Sequence, residues 1–183
     1  MEDKQKIKTC VMGDLELWNF LYKKLLKIKK FVFAYDKVIT NIELNKYRYD
    51  EAFQLILDSF SRTMAVELAL FFDRRKDVCS LYTFEKLDRK EITKICNEAE
   101  SFILMRHTEV GHLSKYINHG NDFVFYTKTG ILKIKEILDS LDVLLQNVNK
   151  IYNFNKYYNG ETFEEIEKSF EYLFNDLLGM KVK

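Results

Sequence analysis

The chain has 183 residues and a mass of 22.0 kDa, which predicts a single domain over residues 1–183 that buries its own hydrophobic core. Apolar residues make up 47% of the chain and charged residues 31%, and this balance favours a globular protein over a disordered or fibrous one. The formal net charge of +1 excludes a global attraction to nucleic acid, so a site for a polyanion has to be a local patch.

Long helices are the predicted secondary structure, because proline is absent, glycine occurs only six times and no alternating strand pattern persists. The first helix is predicted over residues 14 to about 45, either as one helix or as two that are broken near Phe31. Asp50 is predicted to cap a second helix over residues 51–72, which ends at the polar turn DRRKD. The apolar residues of the first helix recur mostly at intervals of three and four: Leu17, Phe20, Leu21, Leu25, Ile28, Val32, Tyr35, Ile39 and Ile42.

Capping residues also mark the middle of the chain. Ser80 is predicted to cap a short helix over residues 81–88. Asp88, with Glu91 three residues later, has the spacing of a capping box. We therefore predict that a further helix begins after Asp88 and runs toward Tyr116.

The last third of the chain predicts two more helices. The sequence NHGND, residues 118–122, predicts a loop, and a fifth helix follows over residues 128–151. Thr162 with Glu165 resembles another capping box, which opens a last helix that ends before Gly179. The predicted buried residues of the fifth helix are Leu132, Ile134, Ile137, Leu138, Leu141, Leu144, Leu145 and Val148. The predicted fold class is an all-α, single-domain helical bundle of five to seven helices.

The cysteines and the apolar runs predict the cellular location. Cys10, Cys79 and Cys96 are an odd number at wide spacing, which matches neither a disulfide framework nor a zinc site, so we predict reduced, structural cysteines. No apolar run approaches the roughly 20 residues that cross a bilayer. The first residues, MEDKQKIKTC, lack the apolar core of a secretory signal. A cytoplasmic protein with no membrane contact is expected.

Two of the three histidines lie close together in the stretch LMRHTEVGHLSK, residues 104–115, with an arginine and a glutamate. A zinc metalloprotease places its two histidines four apart on one helix face, whereas His107 and His112 are five apart and roughly 140° apart around a helix. His107 and Glu109 also begin a deaminase signature, but the chain lacks the Pro-Cys-x-x-Cys partner of that signature. We therefore expect neither a metal nor another cofactor.

The same residues fit the chemistry of RNA cleavage without a metal. The pKa of histidine lies near neutral pH, so His112 can take a proton from a ribose 2′-hydroxyl. Arg106 stays charged, and its planar donors match the phosphate oxygens as negative charge develops on them. The two residues would lie roughly 9 Å apart along a helix axis, so a second copy across a two-fold axis is expected to complete the site.

The sequence RHTEVGH resembles the Arg-x4-6-His motif of HEPN domains, in which the residue after the arginine is commonly Asn, Asp or His. The surroundings of the motif follow the same order. A long N-terminal helix with Trp18 comes first, then the segments LFFDRRKD and CSLYTFEKL, then the motif and the helix LKIKEILDSLDVLLQNVNKIYN. From about residue 15 to residue 152, the chain is therefore similar to the AbiU-like abortive-infection branch of this superfamily.

The resemblance implies an all-helical homodimer in which two copies of the motif meet at a cleft and cut RNA without a metal. Many relatives act as toxins or abortive-infection effectors and are held in check by a partner protein, or antitoxin. By position, Arg106 is the motif arginine, His107 its polar neighbour and His112 the motif histidine, and these three are the predicted catalytic residues. His107 stands where Asn is frequent in this branch, and Ser114 stands where many members have Asp.

Three further residues of the motif region are predicted to contact the substrate: Glu109, Ser114 and Lys115. Glu109 lies three residues from both Arg106 and His112, and its alternative role is a salt bridge along the helix. The functional hypothesis is a metal-independent endoribonuclease that acts as a toxin or phage-defence effector. The alternative is a non-catalytic HEPN module that binds RNA, a nucleotide or a protein partner.

Other segments have both a structural and a functional interpretation. The basic stretch KKLLKIKK, residues 23–30, predicts a solvated helix face, with an RNA-binding stripe as the alternative. The basic residues at 74–76 predict a solubilising turn, with a binding site as the alternative. A polar, Asn-rich segment holds four aromatic residues that predict part of a partner surface: Tyr152, Phe154, Tyr157 and Tyr158.

Overall fold

A computed structural model describes residues 10–41, 50–105 and 128–154, and five residues near the C-terminus: Glu165, Lys168, Ser169, Glu171 and Tyr172. The elements are α1 (Asp14–Asn41), α2 (Asp50–Phe71), a 3₁₀ helix (Leu81–Thr83), α3 (Arg89–Glu98), α4 (Glu100–Met105) and α5 (Lys128–Ile151). The described residues contain no strand, which confirms the predicted all-α fold class. Every helix among them is too short or too polar to span a bilayer.

Helix α1 is the centre of the bundle and packs against both α2 and α5. It begins at Asp14, as predicted, and continues without a break through Phe31, so the interpretation as one helix is confirmed. The helix is uninterrupted because it contains neither Gly nor Pro and keeps its apolar residues on a buried face. Its predicted end near residue 45 lies outside the described residues. The buried apolar residues are Leu17, Trp18, Leu21, Leu25, Leu26, Ile28, Val32, Phe33, Ala34 and Tyr35.

Helix α2 runs antiparallel to α1. Lys27 in the first half of α1 contacts Glu67 near the end of α2, whereas Phe31 lies farther along α1 and packs against Phe60, with ring centroids 5.5 Å apart. The predicted end is confirmed to within one residue. Asp50, predicted as the cap, is itself helical, so that prediction is wrong.

The helix after α2 is shorter than predicted. Ser80 is its N-cap, as expected, and Ser80 Oγ accepts a hydrogen bond from Tyr82 N at 3.2 Å. The helix contains only Leu81–Thr83, so the predicted range 81–88 is wrong. The chain leaves the helix because Phe84 adopts an extended conformation, with φ −73° and ψ 111°, and buries its side chain completely.

The predicted helix from Asp88 toward Tyr116 is divided at Ala99, so the prediction of one helix is wrong. Asp88 does cap α3, since its carboxylate accepts a hydrogen bond from Lys90 N at 2.9 Å. At Ala99 the backbone has φ −88° and ψ 0°, which ends α3 before α4 begins. Because α3 packs against α5 and α4 packs against α2, the break directs the two helices to different neighbours. Everything beyond Met105 on this predicted helix lies outside the described residues.

Helix α5 occupies Lys128–Ile151, the predicted range. Of its predicted buried residues only Leu132 is wrong, because Leu132 is 60% exposed and Ile131 is buried instead. The indole N–H of Trp18 donates a hydrogen bond to the Leu145 carbonyl at 2.7 Å. The start of α1 is thereby joined to the last third of α5, and the two helices run antiparallel.

A Schellman motif built on Asn153 ends α5. Asn153 has a φ of 52°, in the left-handed region that asparagine tolerates. Its N–H donates to the Lys150 carbonyl at 3.2 Å, and the N–H of Phe154 donates to the Asn149 carbonyl at 3.1 Å. The turn directs Phe154 back toward the core, where its ring centroid lies 6.2 Å from that of Trp18.

The last predicted helix, from Thr162 to a point before Gly179, is described at only five positions, and all five are helical. Lys37 Nζ lies 3.9 Å from a carboxylate oxygen of Glu171, so this part of the chain lies beside the second half of α1. The predicted loop at residues 118–122 lies outside the described residues.

Candidate functional site

The six predicted site residues all lie outside the described residues: Arg106, His107, Glu109, His112, Ser114 and Lys115. The described part gives the two helices that flank them in the chain. The described part of α4 (Glu100–Met105) reaches the residue before the motif arginine, and the described part of α5 starts at Lys128. Since α4 packs against α2 and α5 packs against α1 and α3, both flanking helices belong to the bundle.

The basic stretch at residues 23–30 forms ion pairs between helices. Glu67 of α2 is only 9% exposed, and its carboxylate oxygens lie 2.6 Å from Lys24 Nζ and 2.7 Å from Lys27 Nζ. Burial acts to raise the pKa of the Glu67 carboxyl, but the hydrogen bonds and charges of Lys24 and Lys27 outweigh it and hold the pKa below its ordinary value. Glu67 is therefore charged near neutral pH and joins α2 to α1.

Lys29 joins α1 to α5 in the same way. Its Nζ lies 2.7 Å from Asp142 Oδ2 and 3.4 Å from Asp139 Oδ1, and its side chain is only 13% exposed. The predicted solvated face is therefore wrong for Lys29, whereas Lys27 is exposed as predicted and Lys24 is half-buried. Because carboxylates already neutralise these lysines, the alternative of an RNA-binding stripe is not favoured.

Two surface grooves border α5. One of about 330 Å³ lies between α1 and α5 over Val32 and Leu138, and its rim includes the ion pair between Lys135 and Asp36. Another of about 390 Å³ lies between α3 and α5 beside the exposed Val143. Their described lining residues include no His or Cys, and no group of His, Cys, Asp and Glu among the described residues fits a metal ion.

Cys10 and Cys79 form a disulfide, with Cα atoms 5.2 Å apart and a sequence separation of 69 residues. The prediction of reduced cysteines is therefore wrong for this pair. Spacing along the chain gives no sign of the pairing, because the partners meet only when the antiparallel helices place the start of α1 beside the end of α2. Disulfides are rare in cytosolic proteins, so the cytoplasmic location stays a prediction that this bond does not favour.

Cys96 on α3 is a free cysteine and is partly buried. Burial raises the pKa of its thiol, while the charge of Arg74 lowers it and that of Glu100 raises it, and the net effect is an increase. Because the thiolate is the reactive form of a cysteine, this increase disfavours Cys96 as a nucleophile.

Two of the four aromatic residues predicted for a partner surface are half-buried and pack against the core. The ring centroid of Tyr152 lies 5.5 Å from those of both Phe84 and Phe154, and the Tyr152 hydroxyl accepts a hydrogen bond from Lys86 N at 3.1 Å. The turn that ends α5 returns Tyr152 and Phe154 to the core, so the structure does not favour this pair as a partner surface, and their role there stays a prediction. The other two residues, Tyr157 and Tyr158, lie outside the described residues.

Two neighbouring arginines in the basic turn after α2, Arg74 and Arg75, have different partners. Arg75 Nη2 lies 2.8 Å from Asp73 Oδ2, and this carboxylate raises the pKa of Arg75. Arg74 lies over the ring of Tyr82, with its guanidinium carbon 5.3 Å from the ring centroid, and Arg89 lies 5.5 Å from the same centroid. Sequence analysis missed this cluster because no spacing rule joins Arg74, Tyr82 and Arg89.

No family model matches the chain, and neither a curated protein nor a solved structure matches it. The all-α fold is therefore established by the structure alone. The similarity to HEPN domains continues to rest on the motif and on the order of the segments around it, and it stays a prediction.

Proposed function

We propose that the protein is a metal-independent endoribonuclease of the HEPN type, which acts in the cytoplasm as a toxin or phage-defence effector. The observation that carries this proposal is the sequence RHTEVGH together with the order of the segments on either side of it. RNA is the proposed substrate. A second copy of the chain and an inhibitory antitoxin are the proposed protein partners.

The order of the helices supports the proposal. A long first helix carries Trp18, which is hydrogen-bonded to α5, and α2 ends just before the DRRKD turn. The described part of α4 reaches Met105, the residue before Arg106, and a long helix, α5, follows the motif region in the chain. The all-α architecture agrees with the fold that the HEPN resemblance implies.

In the proposed mechanism, His112 takes the proton from a ribose 2′-hydroxyl, and the 2′-oxygen attacks the adjacent phosphorus. The bond from phosphorus to the 2′-oxygen forms while the bond to the 5′-oxygen of the next nucleotide breaks. Arg106 binds the non-bridging oxygens, and His107 positions the substrate or protonates the leaving oxygen. The products carry a 2′,3′-cyclic phosphate and a 5′-hydroxyl. Glu109, Ser114 and Lys115 are the proposed substrate contacts.

The test is cleavage of single-stranded RNA by the purified protein in EDTA. Wild type is expected to cut the RNA, and His112→Ala is expected to lower the rate by about 100-fold or more, because general base catalysis contributes about that much. His119→Ala is the matched control, since it removes a histidine that lies outside the motif, and it is expected to cut at the wild-type rate. Cleavage that survives His112→Ala in folded protein would contradict the mechanism.

A non-catalytic module remains the second candidate because Ser114 occupies a position at which many HEPN members have Asp. The same experiment separates the two functions. Wild-type protein that retains RNA in a mobility-shift assay, but leaves it intact after long incubation, would favour the binding module over the enzyme.

A further inference from the structure

The Arg–Tyr–Arg cluster consists of Arg74, Tyr82 and Arg89, and it lies where the turn after α2 meets the start of α3. Both guanidinium carbons lie within 5.5 Å of the Tyr82 ring centroid, and both arginines are exposed. The tyrosine is fixed because its ring packs against the core and its backbone N–H is bonded to Ser80 Oγ. A guanidinium held against a ring loses less freedom when it binds a ligand and keeps its N–H edge for hydrogen bonds.

The acidic side chains next to the cluster in the sequence have other partners. Asp73 pairs with Arg75, and Asp88 accepts a hydrogen bond from the backbone at the start of α3. Within the described ranges, no carboxylate forms an ion pair with Arg74 or Arg89. The cluster therefore presents two positive charges at one ring, whereas three lysines of the basic stretch at residues 23–30 are neutralised by carboxylates.

We propose that Arg74 and Arg89 bind phosphate groups of single-stranded RNA, and that Tyr82 holds the two guanidinium groups in position. This inference rests on the proposed function, because it adds a second contact for the same substrate outside the motif. Since the chain has a net charge of only +1, RNA affinity requires a local patch, and the cluster is such a patch.

Single-stranded RNA fits the cluster better than an acidic protein segment does. Each nucleotide carries a phosphate that a guanidinium fork can bind through two hydrogen bonds. An unpaired base can also stack on the outer face of a guanidinium, whereas the bases of a duplex are already stacked on each other. An acidic protein segment would supply carboxylates but no flat bases, so the proposal commits to RNA.

The experiment measures binding of a fluorescent 2′-O-methyl RNA by anisotropy at several salt concentrations. This probe keeps the phosphates but lacks the attacking hydroxyl, so cleavage does not interfere. The test variant is Arg74→Ala with Arg89→Ala. The charge-matched control is Lys94→Ala with Lys133→Ala, which removes two exposed lysines of α3 and α5. Arg74→Lys with Arg89→Lys keeps the charge, and circular dichroism melts establish that each variant is folded.

The test variant is expected to bind about ten-fold more weakly near physiological salt, while the control binds like wild type. The slope of log affinity against log salt should become less steep by about 1.4, because each phosphate contact on a single strand contributes about 0.7. The double lysine variant should recover the slope. Equal slopes and affinities for the test and control variants would overturn the inference. Polyglutamate tests whether the cluster binds carboxylates instead of RNA. If polyglutamate displaces the RNA and the salt slope of the test variant equals that of wild type, the inference is also overturned.

The outcomes also separate this inference from the proposed function. If wild type cuts RNA and the test variant binds the probe like the control, the cluster inference fails and the enzyme proposal stands. If wild type binds the probe but never cuts RNA, and the test variant no longer binds the probe, the enzyme proposal fails and the cluster inference stands. Wild-type protein that does not bind the probe at all would overturn the cluster inference.

Discussion

The carboxylate of Glu67 shows how one side chain joins two helices of this bundle. A carboxylate that is only 9% exposed is costly unless it is paired, and here Lys24 and Lys27 both approach it within 2.7 Å. The lysine side chains are 27% and 48% exposed, so water screens part of the attraction. The group therefore stabilises the contact between α1 and α2 by less than a fully buried ion pair would.

Replacement of Glu67 with Gln is expected to lower the free energy of unfolding by about 1–2 kcal/mol near neutral pH, because Lys24 and Lys27 lose their carboxylate. The pKa of Glu67 in the folded protein lies below the ordinary value of 4.5. The contribution of the ionised carboxylate is therefore fully present above pH 4.5 and is lost as the pH falls through the folded pKa. Urea unfolding at several pH values measures this contribution.

The control for this prediction is Glu136→Gln, an exposed position on α5 that is expected to leave stability unchanged. The difference between wild type and Glu67→Gln should shrink on acidification. A difference that is constant from neutral to strongly acid pH would show that the effect does not come from the charge of Glu67.

The end of α5 shows how a helix terminus positions the core. Asn153 adopts the left-handed conformation, and the chain then reverses so that Phe154 packs near Trp18. The same turn places Tyr152 against Phe84. The backbone conformation of Asn153 therefore brings both Tyr152 and Phe154 against aromatic residues of the core.

Asn153→Ala is expected to destabilise the protein by about 1 kcal/mol, because an alanine Cβ is strained at a φ of 52°. Asn153→Gly is expected to be as stable as wild type or slightly more stable, since glycine has no Cβ and adopts this conformation freely. Thermal melts followed by circular dichroism compare the two variants. Equal melting temperatures for Ala and Gly would contradict the assignment of a left-handed terminus.

Helix ends are predictable from the sequence where the apolar pattern changes or where a capping residue such as Asp88 stands. The range of α5 was predicted because a regular apolar stripe stands between polar segments. The break at Ala99 was not predictable, because Ile92, Ile95, Ala99 and Phe102 are all buried and keep helical spacing across it. A sequence with an uninterrupted period does not reveal that α3 and α4 pack against different helices.

The partners of charged side chains were not predictable, because they come from distant parts of the chain. Lys27 pairs with a carboxylate 40 residues away, and Lys29 pairs with one 113 residues away. The Arg–Tyr–Arg cluster likewise combines three separate segments. The proposed catalytic pair, Arg106 and His112, was found from the motif alone and lies outside the described residues, so its geometry stays a prediction.

The disulfide between Cys10 and Cys79 affects the whole molecule, because it closes a loop that contains both α1 and α2. This helix pair carries much of the core, and α1 packs against α2 and α5. A cross-link between two residues that are 69 positions apart in the sequence strongly reduces the conformational entropy of the unfolded chain. The folded protein already holds these two residues together. The bond is thus expected to act mainly through the unfolded state.

Reduction of this disulfide is expected to lower the free energy of unfolding by about 4 kcal/mol, the loop-closure value for a loop of this length. Urea unfolding with and without dithiothreitol measures the effect. Cys10→Ser should show the same loss without reductant and no further loss with it, while Cys96→Ser should respond to reductant like wild type. Alkylation of the unfolded protein followed by mass spectrometry should find one thiol without reductant and three after reduction. Three thiols in protein purified under air would contradict the disulfide and would restore the prediction of reduced cysteines, which a cytoplasmic location favours.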